Sequence, residues 1–145
     1  MKAGYCYCDI KTFVPSVVCL ALVALWFSDH KAKMINKTAK KMRSCIIEEL
    51  EMLNLRMKHS LSDSYLNQYK EIGTFLRTHE NLFILGKGTG VYVAEYIAGK
   101  FTTVTAIHAE AYPSGEFRHG PLSMIDEQEK TPVIFLALDD EHLVQ

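Results

Sequence analysis

Leu82-Phe83-Ile84-Leu85 runs without a polar residue into Gly86-Lys87-Gly88-Thr89-Gly90, after which Val91, Ala94, Ala98 and Phe101 recur at helical spacing. Four apolar residues bounded by turn formers read as a short buried strand, and the spacing beyond the glycines predicts a helix with one inward face. A strand, a glycine turn and a helix N-terminus in this order are the unit of parallel α/β sheets. Pro132-Val133-Ile134-Phe135-Leu136-Ala137-Leu138, ended by Asp139-Asp140, is a second such run, apolar enough for a parallel strand covered on both faces. A crossover of this length returns the chain in the same direction, so the two strands are expected to be parallel and adjacent or nearly so. Between them Thr102 to Ile107 is dense in β-branched residues and by propensity predicts a further strand. The turn departs from the dinucleotide fingerprint Gly-x-Gly-x-x-Gly, and no acidic residue closes a second strand about twenty residues later, which argues against nicotinamide binding. Its glycines serve close packing of strand and helix, or an anion.

The first half of the chain reads as helices. Pro15 suits a first helical turn, with the helix running to Phe27, the Ser28-Asp29 pair punctuating it and Asp29 placed to cap the next. Phe13 to Phe27 is fifteen mostly apolar residues behind Lys2 and Lys11, which imitates a signal peptide or membrane anchor. That length is short for the hydrocarbon layer, and no small-x-small pattern follows, so the expectation is a helix hydrophobic all round and buried within protein. From Lys31, the apolar residues Ile35, Ala39, Met42, Ile46, Leu50, Leu53 and Met57 alternate with a solvated face of Lys33, Lys37, Lys40, Lys41, Glu48 and Glu51, predicting a long amphipathic helix. Ser60 to Ser64 breaks the pattern. Tyr65, Tyr69, Ile72 and Leu76 then mark the inward stripe of a shorter helix ending near Thr78.

Composition narrows the function. Sixteen basic against seventeen acidic residues give a net charge of −1, which leaves no electrostatic case for nucleic acid. Cys6, Cys8, Cys19 and Cys45 lack the spacing of a zinc site, so no metal and no disulfide is expected, and reduced thiols suit a cytoplasmic protein. What stands out is the stretch from His108 to Asp126, which packs His108, His119, Glu110, Glu116 and Arg118 among backbone-bending glycines and prolines. A connector needs no groups that move protons near neutral pH; a site does.

His108-Ala109-Glu110-Ala111-Tyr112, Gly115-Glu116-Phe117-Arg118-His119-Gly120-Pro121-Leu122, Ile125-Asp126 and Pro132-Val133-Ile134, in that order, resemble the second sugar-isomerase (SIS) domain of the glutamine:fructose-6-phosphate aminotransferase family. Gly86-Lys87-Gly88 resembles the turn after that domain's first strand, and Lys11-Thr12-Phe13 with the helix behind it resembles the segment closing the first SIS domain. The resemblance implies a doubly wound parallel sheet with flanking helices, here incomplete. Residues 1–30 would end a preceding SIS domain, 31–63 form a helical connector, and 64–145 begin the second SIS domain. A Ser/Thr-rich phosphate loop would lie upstream and a lysine-bearing tail downstream.

The family's chemistry implies a sugar phosphate substrate, ketose–aldose isomerisation toward glucosamine 6-phosphate, a homodimer, no cofactor and no membrane. His119 would assist ring opening, in the neighbouring subunit's site. Lys100 falls on another site position, and Lys11, Gly86, Gly88, Glu110 and Glu116 would bind substrate. Two departures stand out: Asp9-Ile10 replace the usual Ser-Thr before Lys11, and Thr103 occupies the place of the glutamate base, where a hydroxyl cannot act as a base near neutrality. Two other readings follow, a SIS module that binds without turnover, and a relative that cleaves fructosamine phosphates, since Gly-Glu-Phe-x-His-Gly-Pro suits that branch as well.

Overall fold

The computed structural model describes residues 10–30, 37–125 and 130–138. Two compact units divide between Lys70 and Glu71. The expectations for Ile35, Lys31 and Lys33 and for the Asp126 and Asp139-Asp140 boundaries lie outside the described residues.

The first unit holds α1 (Ile10–His30), α2 (Lys37–Ser60) and the start of α3 (Asp63–Leu76). α1 begins before the proline, so Pro15 sits inside it, where its missing N–H removes one ladder bond, and Asp29 lies in its last turn. Asp29 therefore caps no following helix; its carboxylate accepts a hydrogen bond from the Arg43 guanidinium of α2. That bond chiefly holds the Asp29 carboxyl below its usual range.

Within this unit the described side chains of α1 are exposed or half-buried, with Leu20 at 70% and Trp26 at 56% exposure. A helix apolar all round needs neighbours on every side, and among the described residues of this unit α2 is the helix that touches it appreciably. The length argument is corrected, because Lys11–His30 is long and apolar enough to cross a membrane by length and composition. α2 is the long amphipathic helix foreseen, although it buries no residue. On α3, of the expected stripe only Leu76 is buried, while Tyr69 and Ile72 stay exposed.

The second unit is the α/β layer. Its elements are β1 (Asn81–Gly86), α4 (Gly90–Thr105), β2 (His108–Pro113), two 3₁₀ turns (Glu116–His119 and Pro121–Met124) and β3 (Val133–Leu136). The strands form one parallel sheet in the order β2-β1-β3, with Asn81 opposite His108, Gly86 opposite Pro113, and Phe83 opposite Val133. β1 and β3 are thus adjacent and parallel, as the apolar runs required.

Thr102 to Ile107 is not a strand. Thr102 to Thr105 end α4, and the chain enters β2 only at His108. Threonine is accommodated because its hydroxyl bonds back to the preceding turn: Thr103 Oγ1 donates to the Gly99 carbonyl and Thr105 Oγ1 to that of Phe101, each at 2.7 Å. The helix stops at Ala106, which adopts the left-handed conformation at φ 59°.

The alternation of β1 divides the core. Leu82 and Ile84 face α4, where Ala94 and Ala98 are small enough to let helix and sheet meet closely, with Leu76 beside them. Phe83 and Leu85 face the opposite way and pack against Phe117, flanked by Tyr112, Ile125 and Val133. Full burial of each of these leucine, isoleucine and phenylalanine side chains is worth about 1.5–3 kcal/mol. α4 covers one face; the 3₁₀ segment, through Phe117, covers part of the other.

Candidate functional site

The three strands end at one edge, and there the chain has to turn into α4 without clashing. Gly86 makes this possible: a Cβ on it would lie 2.4 Å from the carbonyl carbon and oxygen of Gly90 and 2.6 Å from the Val91 nitrogen, all backbone atoms that cannot swing away. Gly88 takes φ 55° inside the turn, which is closed by Gly90 N–H donating to the Lys87 carbonyl at 2.9 Å. The segment after β2 is tied to this turn, since the Ser114 N–H donates to the Gly86 carbonyl at 2.9 Å. Phe117 fixes the next few residues to the sheet, with ring centroids 5.2 Å from Phe83 and 6.0 Å from Tyr112. Gly120, at φ 155° and ψ −63°, separates the two 3₁₀ turns in a conformation that disfavours a side chain.

These constraints leave a concavity of about 840 Å³ along the carboxyl ends of the strands, where ligands of open α/β sheets bind. Its lining includes Lys87 on the glycine turn and Ser114, Arg118 and His119 on the segment after β2. It also includes the apolar Leu122, Ile125, Val133 and Phe135, the last 68% exposed. No aspartate or glutamate is among the described residues that line it. Cations and apolar side chains in one lining favour an anion with a less polar remainder.

Of the residues singled out in the sequence, the structure brings Gly86, Gly88 and His119 together here. His119 closes the first 3₁₀ turn and is exposed. Glu116 opens that turn, exposed, and does not line the concavity. Lys100 and Thr103 stand in the C-terminal half of α4, which runs toward the amino ends of the strands; there the Ala109 N–H donates to Thr102 Oγ1 at 3.3 Å. The Lys100 ammonium lies 5.0 Å from the Tyr96 ring centroid, a cation–π contact. Lys11 is on α1, in the other unit.

Glu110 lines a smaller cavity of about 360 Å³ with Asn81, Phe83, His108 and Thr131, at the amino ends of the strands. Its carboxylate accepts the Tyr112 hydroxyl at 2.8 Å and lies 3.5 Å from His108 Nε2. The hydrogen bond to Glu110, followed by burial and the carboxylate's charge, raises the Tyr112 phenol above its ordinary pKa. Among the described residues no group of three His, Cys, Asp or Glu side chains is arranged to hold a metal ion.

Arg118 stands in the dense stretch and Lys87 in the glycine turn, but sequence gives neither of them, nor Ser114, a role. Arg118 adjoins His119 in the motif itself, and Lys87 sits between two glycines, so their positions were signals; their convergence depends on the Ser114–Gly86 bond, which sequence does not reveal.

Residues 75–143 match the family described as the SIS domain. The glutamine–fructose-6-phosphate aminotransferase (isomerizing) of Pseudomonas syringae pv. tomato is 34% identical over 134 residues, 92% of this chain and 20% of that one. The Buchnera aphidicola protein of the same name is 37% identical over 98 residues, 68% of this chain and 15% of its own length. Among solved structures, the C-terminal domain of glucosamine-fructose-6-phosphate aminotransferase from Francisella tularensis matches 98% of this chain and 38% of its own, with a TM-score of 0.74 and 27% identity. The chain spans about a fifth of the length of the curated relatives it matches.

Proposed function

Residues 75–143 belong to the SIS domain family, and from that premise we propose that the concavity at the carboxyl edge of the sheet binds a phosphosugar. The observation that carries this reading is the Gly86–Gly88 turn on the border of a concavity whose lining includes Lys87 and Arg118 and no described carboxylate. The reaction class is the ketose–aldose isomerisation that leads toward glucosamine 6-phosphate. An imidazole, which titrates near neutrality, is suited to give a proton to a ring oxygen. In this reading the protein is a cytoplasmic homodimer in which His119 serves the neighbouring copy. Lys11, Lys100, Glu110 and Glu116 would meet substrate only in that assembly. Residues 1–30 would close a preceding SIS domain, 31–63 connect, and 64–145 begin the second.

A second reading, a SIS module that binds its sugar phosphate without turning it over, is favoured by Thr103. Its hydroxyl is committed to the Gly99 carbonyl and offers no base for the carbon-bound proton. Incubating the chain separately with fructose 6-phosphate and fructosamine 6-phosphate, and following conversion and binding by NMR, distinguishes the cases. Conversion of fructose 6-phosphate supports the isomerase, and binding without conversion supports the module. Cleavage of fructosamine 6-phosphate transfers the chain to the deglycase branch, and the absence of any binding removes the phosphosugar reading.

A further inference from the structure

We propose that Glu110 is a positioning residue for His119, acting through the rings of Tyr112 and Phe117. This rests on the reading of His119 as the proton donor at the concavity and says what holds that imidazole in place. Glu110 does not line the concavity, so within the chain any effect it has on His119 is transmitted. His108, Glu110 and Tyr112 share the face of β2 that is turned away from α4. Residues two apart on a strand stand roughly 6.6 Å from one another. The Tyr112 hydroxyl closes that gap by donating to Glu110 Oε2 at 2.8 Å, which draws the phenol back along its own strand. His108 Nε2 lies 3.5 Å from the other carboxylate oxygen, so Tyr112 is the closer partner.

Tied in this way, the half-buried Tyr112 ring completes a set of three, with its centroid 6.0 Å from Phe83 and 6.0 Å from Phe117, while Phe83 and Phe117 meet edge to face at 5.2 Å. Phe117 is the buried side chain of the 3₁₀ turn Glu116–His119, so its two aromatic neighbours decide where that turn lies on the sheet. His119 ends the turn, exposed, and is followed by Gly120 at φ 155°, which offers no side chain to anchor it from the other direction. Releasing the phenol from Glu110 frees one of the two rings that fix Phe117, and His119, two residues on, moves with it.

The test is NMR of the 145-residue chain, with the amide and imidazole signals of His119 as the readout, repeated below the melting temperature for Glu110→Ala, Tyr112→Phe, their double variant, Glu110→Gln and His108→Gln. Glu110→Ala and Tyr112→Phe should displace the His119 signals in the same direction, and the double variant should displace them no further than the larger single change. Glu110→Gln, whose amide oxygen still accepts from the phenol, should keep the parent signals, and so should His108→Gln. A bond that only stabilised the strand would leave His119 unmoved in every folded variant. Fructose 6-phosphate affinity should fall roughly threefold to tenfold in both Glu110→Ala and Tyr112→Phe. His119 signals unmoved in Tyr112→Phe, additive displacements in the double variant, or Glu110→Gln behaving like Glu110→Ala would each overturn the proposal. A fall in affinity confined to Glu110→Ala would also overturn it, by making the carboxylate a direct contact. No binding of fructose 6-phosphate by the unaltered chain removes the phosphosugar reading, and the His119 signals still decide the positioning. If Glu110→Ala fails to fold, Tyr112→Phe and Glu110→Gln decide between them.

Discussion

The Ser114 amide donates to the Gly86 carbonyl at 2.9 Å, fastening the chain beyond β2 to the turn beyond β1. Everything in the candidate site depends on that junction, because Lys87 follows one of these residues and Arg118 and His119 follow the other.

Gly86→Ala should disrupt the junction. The added methyl meets the Gly90 carbonyl at 2.4 Å, and relief requires moving α4 off the sheet, at a cost of about 3 kcal/mol. Gly99→Ala is the matched control, with nothing within 4 Å of the new methyl and a helix-interior position where alanine is favoured by up to about 1 kcal/mol. Chemical denaturation of the two variants should move in opposite directions; equal destabilisation would mean the close approach at Gly86 does not matter.

Phe117→Ala empties the centre of the second core cluster, between Phe83 and Tyr112. Buried phenylalanine truncations cost about 3–5 kcal/mol. The same change unpins Arg118 and His119, so ligand binding should fall even at temperatures where the variant remains folded. A variant as stable as the parent would show that the 3₁₀ segment is not held by this ring.

Ala106 ends α4 in the left-handed region, where a Cβ costs about 1–2 kcal/mol. Ala106→Gly should therefore stabilise the protein by about 1 kcal/mol, less what glycine loses in unfolded-state entropy. An urea midpoint unchanged or lowered would contradict the assigned backbone conformation.

The Tyr112–Glu110 bond makes a pH prediction. The carboxylate favours the protonated phenol and raises its pKa in the folded state, so the bond's contribution is fully present below the ordinary tyrosine value of about 10 and is lost as pH rises through the folded value. Tyr112→Phe should melt below the parent near pH 8, and the two curves should converge in strong alkali. A gap that stays constant through the alkaline range would rule the linkage out.

Much of this architecture was legible in the chain. β1, β3 and the start of α4 announce themselves by unbroken apolar runs and by the spacing of Ala94 and Ala98. β2 was hidden: its alternation of His108, Glu110 and Tyr112 with Ala109 and Ala111 puts the titratable groups on one face, and their density read as a site rather than as strand pleat. Thr102 to Thr105 misled for the opposite reason, since β-branched propensity is overridden when hydroxyls bond back into the helix. Whether α1 is covered depends on what lies against the helix rather than on its own apolarity. In the candidate site, His119 and the two glycines were visible as motif residues, whereas Lys87 and Arg118 acquire meaning only once two separate turns are brought to one edge.

The central claim is that a sugar phosphate sits at the carboxyl edge of the sheet. Amide chemical-shift mapping of the 145-residue chain during titration with fructose 6-phosphate tests it most directly. The account predicts saturable shifts at Gly86, Gly88, Ser114, Arg118 and His119. Shifts gathered instead around Asn81, His108 and Glu110, at the opposite edge, or no shifts at all, would contradict it.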